Sequence, residues 1–303
     1  MNRRNLLKSV ATASLLPIAD PARSADTDIL MKKIPGTGEP VPVIGMGTFK
    51  VFEIGEDLTL RDQHAEVIRT FFDLGGTMID ASPMYTVAED VIGYALKKIG
   101  QPKGLISSSK VWNTSSDRSR AQFEKSLQSW DVEAFDIFMV HNVDVWKEHA
   151  DNVKSYKDSG EIRYLGISTS HGREAAELAR LMATEPLDFV QLTYNIVDRA
   201  VEDRLLPLAQ ERGVAIMANR PFQGGELFKH VADQPLPAWS AEIDCSNWAQ
   251  ILLKYVVSHP AITCTIPGTS QVPHMIENMG ALTGVLPDVQ LRETMRLHFE
   301  ALT

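Results

Sequence analysis

The stretch IRYLGISTSHGREAAELARLMATEPLDFVQL (162–192) decides the fold. It opens with a short apolar run, IRYLGIS (162–168), passes through a helical pattern at 173–183, and returns to a second apolar run, FVQL (189–192). Two short strands joined through a helix pair in parallel, because the crossover returns the chain to run the same way. Working outward, the unit recurs. VPVIGMG (41–47), TMID (77–80), LISSS (105–109) and DIFMVH (136–141) come before it, and VAIMA (214–218) and AITCTIP (261–267) come after. Helical patterns at 61–74, 117–130 and 201–212 lie between runs. Eight such units predict a closed (β/α)8 barrel. An open doubly wound sheet would want a GxGxxG turn after its first strand. The first run here continues GMGTFKVFEIG, which lacks that spacing, and no phosphate-binding loop of the Walker kind occurs.

The first 25 residues read as a leader instead of fold. MNRRNLLKSV carries Arg3 and Arg4 ahead of a mildly apolar segment (9–19), and small residues follow at Ala22, Ser24 and Ala25. Charged start, short apolar centre and small-residue end are the parts of a secretory signal, and the arginine pair points to the twin-arginine (Tat) route. The expectation is cleavage after Ser24 or Ala25, a periplasmic location, and one barrel domain over 26–303. The leader holds four basic residues and one acidic one. Its removal leaves 26 basic and 38 acidic residues, a net charge of −12. So acidic a surface repels phosphate backbones, which argues against nucleic-acid binding. No run reaches the roughly 20 apolar residues of a membrane span. Cys245 and Cys264 are too few for a disulfide framework and lack metal-ligand spacing, so free thiols and no metal are expected.

A barrel of this kind carries its chemistry where the strands end. The second run ends at Asp80, with Tyr85 in the loop beyond; the third ends at Lys110 and the fourth at His141. Each has an ordinary structural use: Asp80 as a helix cap, Tyr85 as a loop aromatic, Lys110 reaching to water, His141 as a rim histidine. Together they make a working unit. A phenol serves as general acid near neutrality when a cation lowers its pKa of about 10. The cation needs a carboxylate partner to stay charged away from water. A histidine beside them can orient a carbonyl oxygen.

In order and spacing, Asp80, Tyr85, Lys110 and His141 resemble the catalytic tetrad of the aldo/keto reductase family. The resemblance runs from about residue 32 to 302. GMGTFK (45–50), KVW (110–112), GIS (166–168), QLTYN (191–195) and IPGTSQVPHMIEN (266–278) are similar to that family's segments in the same order. It implies an NAD(P)-dependent oxidoreductase that reduces an aldehyde or ketone, or oxidises the alcohol, and works as a monomer. Ser168 and Gln191 would clamp the nicotinamide carboxamide, with Thr169 standing where the family usually has Asn. Gly47, Thr48 and Lys50 would line the pyrophosphate, and Trp112 would meet substrate. Glu277 and Asn278 would meet the adenine. Around Thr269, two positions depart from the pattern: Gly268 and His274 replace the Lys and Arg that meet the 2′-phosphate of NADP, which leaves NAD or NADP open. After the seventh run, Asn219 stands where a ring usually stacks on the nicotinamide, followed by Arg220. These departures motivate an alternative, an exported barrel with weak or no nucleotide binding that acts as a binding or sensor protein or a non-redox lyase or isomerase.

Overall fold

The computed structural model describes residues 29–302. The expected leader at 1–25 lies outside the described residues. Two short strands come first, β1 (Met31–Lys33) and β2 (Pro40–Pro42), paired antiparallel. Eight parallel strands follow: β3 (Met46–Gly47), β4 (Met78–Asp80), β5 (Ile106–Val111), β6 (Phe135–Val140), β7 (Ile162–Ser168), β8 (Phe189–Thr193), β9 (Ala215–Asn219) and β10 (Ile262–Thr265). They pair in chain order, and a bridge between Ile44 and Thr265 joins the two ends. Gly45 N–H donates to Thr265 O at 2.8 Å and Gly47 N–H to Pro267 O at 3.0 Å, so the ring of strands is closed. The expected barrel is present.

Closure depends on two glycines. A Cβ on Gly47 would stand 2.6 Å from Ile266 O, and one on Gly268 would stand 2.8 Å from Gly47 O. The backbones of the first and last barrel strands approach too closely for side chains there.

Alternation along each strand divides the core. Met78, Ile137, Met139, Phe189 and Met217 fill the barrel interior. A larger apolar shell packs between the barrel and its helices. The run 41–47, expected as one strand, is split. Pro40 and Pro42 lack N–H groups and suit a two-stranded ribbon better than an interior ladder. The ribbon closes the barrel floor with Ile34 and Val41, and Lys32 Nζ donates to His259 O at 2.8 Å and Ile262 O at 2.6 Å. The long connection from 220 to 244 contains helix Glu226–Val231 and short 3-10 turns. Both cysteines are free and buried. No helix among the described residues is long and apolar enough to cross a membrane, and none of their His, Cys, Asp and Glu side chains cluster as a metal site.

Candidate active site

Strand β5 shows how the sequence builds the site. Its even positions turn inward and its odd positions outward. Ser107 bonds Asp136 and Ser109 bonds Glu89 on the helix side, whereas Ser108 and Lys110 both reach Asp80 inside the barrel. Lys110 Nζ donates to both oxygens of Asp80, at 2.6 and 2.7 Å, and to Ala81 O at 2.8 Å. Lys110 is wholly buried, so its desolvation costs heavily and pulls its pKa down, against the pull of Asp80 and Glu89. Tyr85 lies across this pair, with the ammonium 5.8 Å from its ring centroid. The sequence led us to expect a phenol lowered by that cation. The structure shows the opposite: burial, then Asp80 and Glu53, push the Tyr85 phenol well above its ordinary value. The positive charge of Lys110 is already spent on Asp80, and the phenol has lost most of its water.

His141 completes the group at the end of β6. Its ring stands perpendicular to that of Tyr85, with centroids 5.8 Å apart, and its Nδ1 lies 2.7 Å from Ser82 Oγ. Burial, then the charges of Lys110 and Arg173, hold it down at about 3, so the imidazole is neutral. Asp80, Tyr85 and His141 border one cavity of about 500 Å³, with Lys110 behind Asp80. Ser168, Thr169 and Gln191 line it from β7 and β8, and Gly47, Thr48, Lys50, Arg220 and Gly268 from the rim.

That rim is cationic in an acidic chain. Lys50 and Arg220 have no carboxylate partner among the described residues, and Arg173 donates only to Ser170. Arg220 holds a left-handed backbone (φ 53°), fixed where Asn195 Nδ2 and Gln223 N–H donate to its carbonyl. A rim of unpaired cations beside amide and hydroxyl groups suits an extended ligand with an anionic middle and a polar end, as a nicotinamide dinucleotide has.

The model of the aldo/keto reductase family matches residues 43–297. The chain belongs to the aldo/keto reductase family. Among similar proteins is the methylglyoxal reductase YeaE of Escherichia coli K12, 27% identical over 256 positions that span 83% of this chain and 89% of that one. The glyoxal reductase of Bacillus subtilis 168 is also 27% identical, covering 80% of this chain and 83% of its own. Among solved structures, an aldo/keto reductase of Klebsiella pneumoniae in complex with NADPH superposes with a TM-score of 0.74. It is 24% identical, over 89% of this chain and 96% of that one.

Other expected contacts of this aldo/keto reductase are placed unevenly. Thr48, expected at the pyrophosphate, donates its hydroxyl to Asp80 O at 2.9 Å. Thr169 donates to Arg173 O at 2.9 Å, and Ser168 to His141 O at 2.5 Å. Both hydroxyls thus keep acceptor lone pairs for a carboxamide, but their protons are engaged. Asn219 is held by Thr193 and donates to Thr169 O at 2.8 Å, so its amide braces the loop. Trp112 sits on the loop after β5, 43% exposed, and is not among the residues lining the cavity. Thr269 precedes, and His274, Glu277 and Asn278 lie on, the helix Val272–Met279, outside the cavity wall. The sequence reasoning missed Ser82, Phe49, His171 and Arg173, all but Ser82 lining the cavity. Ser82 stands two residues past Asp80 and Arg173 five past Ser168, spacings that a search outward from the strand ends would have reached.

Proposed function

We propose that this protein is an NAD(P)H-dependent carbonyl reductase acting on small aldehydes or ketones, with Asp80, Tyr85, Lys110 and His141 at its centre. The observation that carries the reading is the Asp80–Lys110 pair set beside Tyr85 and His141 at the mouth of a barrel cavity. The dinucleotide, when bound, supplies the hydride. Tyr85 holds a proton on its phenolic oxygen and gives it to the carbonyl oxygen as negative charge develops there. Lys110, anchored by Asp80, stands 5.8 Å from the centre of the phenol ring and fixes the side of the site on which Tyr85 rests. His141 is neutral and polarises the same oxygen by hydrogen bonding.

Ser168, Thr169 and Gln191 would hold the carboxamide end, and Lys50 and Arg220 the phosphates. The Klebsiella structure holds NADPH, and NADP is the cofactor we favour. The names of the relatives make methylglyoxal and glyoxal the first substrates to try. Purified protein mixed with NADPH or NADH and either 1,2-dicarbonyl compound should consume the reduced nicotinamide, followed by its near-ultraviolet absorbance. A protein that binds nucleotide yet turns over no carbonyl compound would move the reading to the binding or non-redox alternative. Export by the Tat route remains part of the proposal, supported by Arg3, Arg4 and the small residues up to Ala25.

A further inference from the structure

His141 meets the fold with one ring nitrogen and the cavity with the other. Nδ1 lies 2.7 Å from Ser82 Oγ, while Nε2 has no hydrogen-bond partner among the described residues and the ring borders the cavity. What an imidazole does at a carbonyl oxygen depends on which nitrogen carries the proton. The donors and acceptors around it decide that. Ser82 is buried, 1% exposed, and its oxygen accepts from Met84 N–H at 3.2 Å. Its hydroxyl proton then needs an acceptor, and Nδ1 is the one within reach among the described residues. A proton on Nδ1 instead would give the Ser82 oxygen two donors and leave its own proton unpaired away from water. Folded proteins seldom leave a buried donor so.

We infer that Ser82 is a positioning residue: its hydroxyl donates to His141 Nδ1 and holds the imidazole in the neutral form that carries its proton on Nε2, facing the cavity. The rest of the surroundings agrees. Burial and the nearby Lys110 and Arg173 charges keep the ring neutral, so it has one proton to place. His141 N–H donates to Val111 O at 3.1 Å, and Ser168 Oγ donates to His141 O at 2.5 Å, which fixes the backbone beneath the ring. One short segment therefore does two things, since Asp80 anchors Lys110 and Ser82 sets His141.

The consequence for chemistry rests on the carbonyl-reductase reading. A substrate oxygen in the cavity receives two donors, the Tyr85 O–H and the His141 Nε2–H. The phenol proton transfers to the oxygen as hydride reaches the carbon; the imidazole proton stays on nitrogen.

Two measurements on the full chain with NADP bound test this. Nuclear magnetic resonance of isotope-labelled histidine, with the His141 signals assigned by their loss in His141→Gln, reports which nitrogen is protonated. Wild type should show Nε2–H. Ser82→Ala should shift the population toward Nδ1–H and lower kcat for methylglyoxal by roughly ten- to a hundredfold, the scale seen for outer hydrogen-bond partners of ligand histidines. Nucleotide affinity should change little, and Ser82→Thr, which keeps a hydroxyl, should restore both signals. A wild-type proton on Nδ1 overturns the inference, as does Ser82→Ala with unaltered tautomer and kcat. A wild type that shows Nε2–H but reduces no carbonyl compound sinks the reductase reading and leaves the hydrogen-bond assignment standing.

Discussion

Tyr85 and His141 sit side by side, and burial moves their proton affinities in opposite directions. The phenol is raised, by burial, Asp80 and Glu53, so it keeps its proton throughout the neutral range. That suits reduction, in which Tyr85 gives a proton away, more than alcohol oxidation, in which it must first lose one. Tyr85→Phe removes only that proton. It should lower carbonyl reduction by about a hundredfold or more while fluorescence titration finds nucleotide affinity within a few-fold. Turnover at the wild-type rate would refute the assigned role. His141 makes a separate prediction about stability. Its folded value of about 3 lies below the ordinary value of 6.5. Between those values the unfolded chain binds more protons, so stability is full above about 6.5 and falls as pH drops toward 3. Half-buried His259, held at about 4, acts in the same sense. Melting curves across this range should therefore flatten in part, not wholly, on His141→Gln.

At the scale of the element, the closing seam between β3 and β10 leaves no room for a side chain at either of its two glycines, Gly47 and Gly268. Gly268→Ala would set a methyl group 2.8 Å from the Gly47 carbonyl oxygen and 3.3 Å from a Val51 methyl. Urea unfolding should show a loss of about 1–3 kcal/mol, the usual cost of overpacking. It follows that a lysine at 268 is a poor way to add a charge for the 2′-phosphate, although the sequence pattern invites it; His274, exposed on its helix, is the better position. A loss-free Gly268→Ala would show that the seam can relax. Strands were legible where apolar runs are short and bounded, as at 162–168, which the structure reproduces to the residue. That Asp80, Tyr85, Lys110 and His141 come together was legible because the strand ends carry few charges. The floor ribbon was not, since MKK (31–33) buries too little for any periodic signal. Nor could the pattern reveal that Asp80 consumes the charge of Lys110, because that needs the two strands at hydrogen-bonding distance.

For the whole molecule, the proposed destination is the periplasm. The proposed leader, with Arg3 and Arg4 ahead of a mildly apolar segment, carries one prediction. Replacing both Arg3 and Arg4 by Lys should leave the protein uncut in the cytoplasm, read by fractionation and mass spectrometry. Normal export of that variant would remove the Tat assignment. An exported reductase must also carry its nucleotide with it, so material recovered from the periplasm and denatured should release close to one nucleotide per chain.

The floor ribbon has a practical side. Leu30 N–H donates to Leu282 O at 2.7 Å, and Lys32 ties the same segment to the start of β10, so the chain enters the barrel at the end opposite its cavity. Leu30 and Lys32 therefore stand on the face away from the mouth. A capture tag placed there should tether the molecule to a bead or an electrode with its mouth turned to the solution, leaving substrate entry clear.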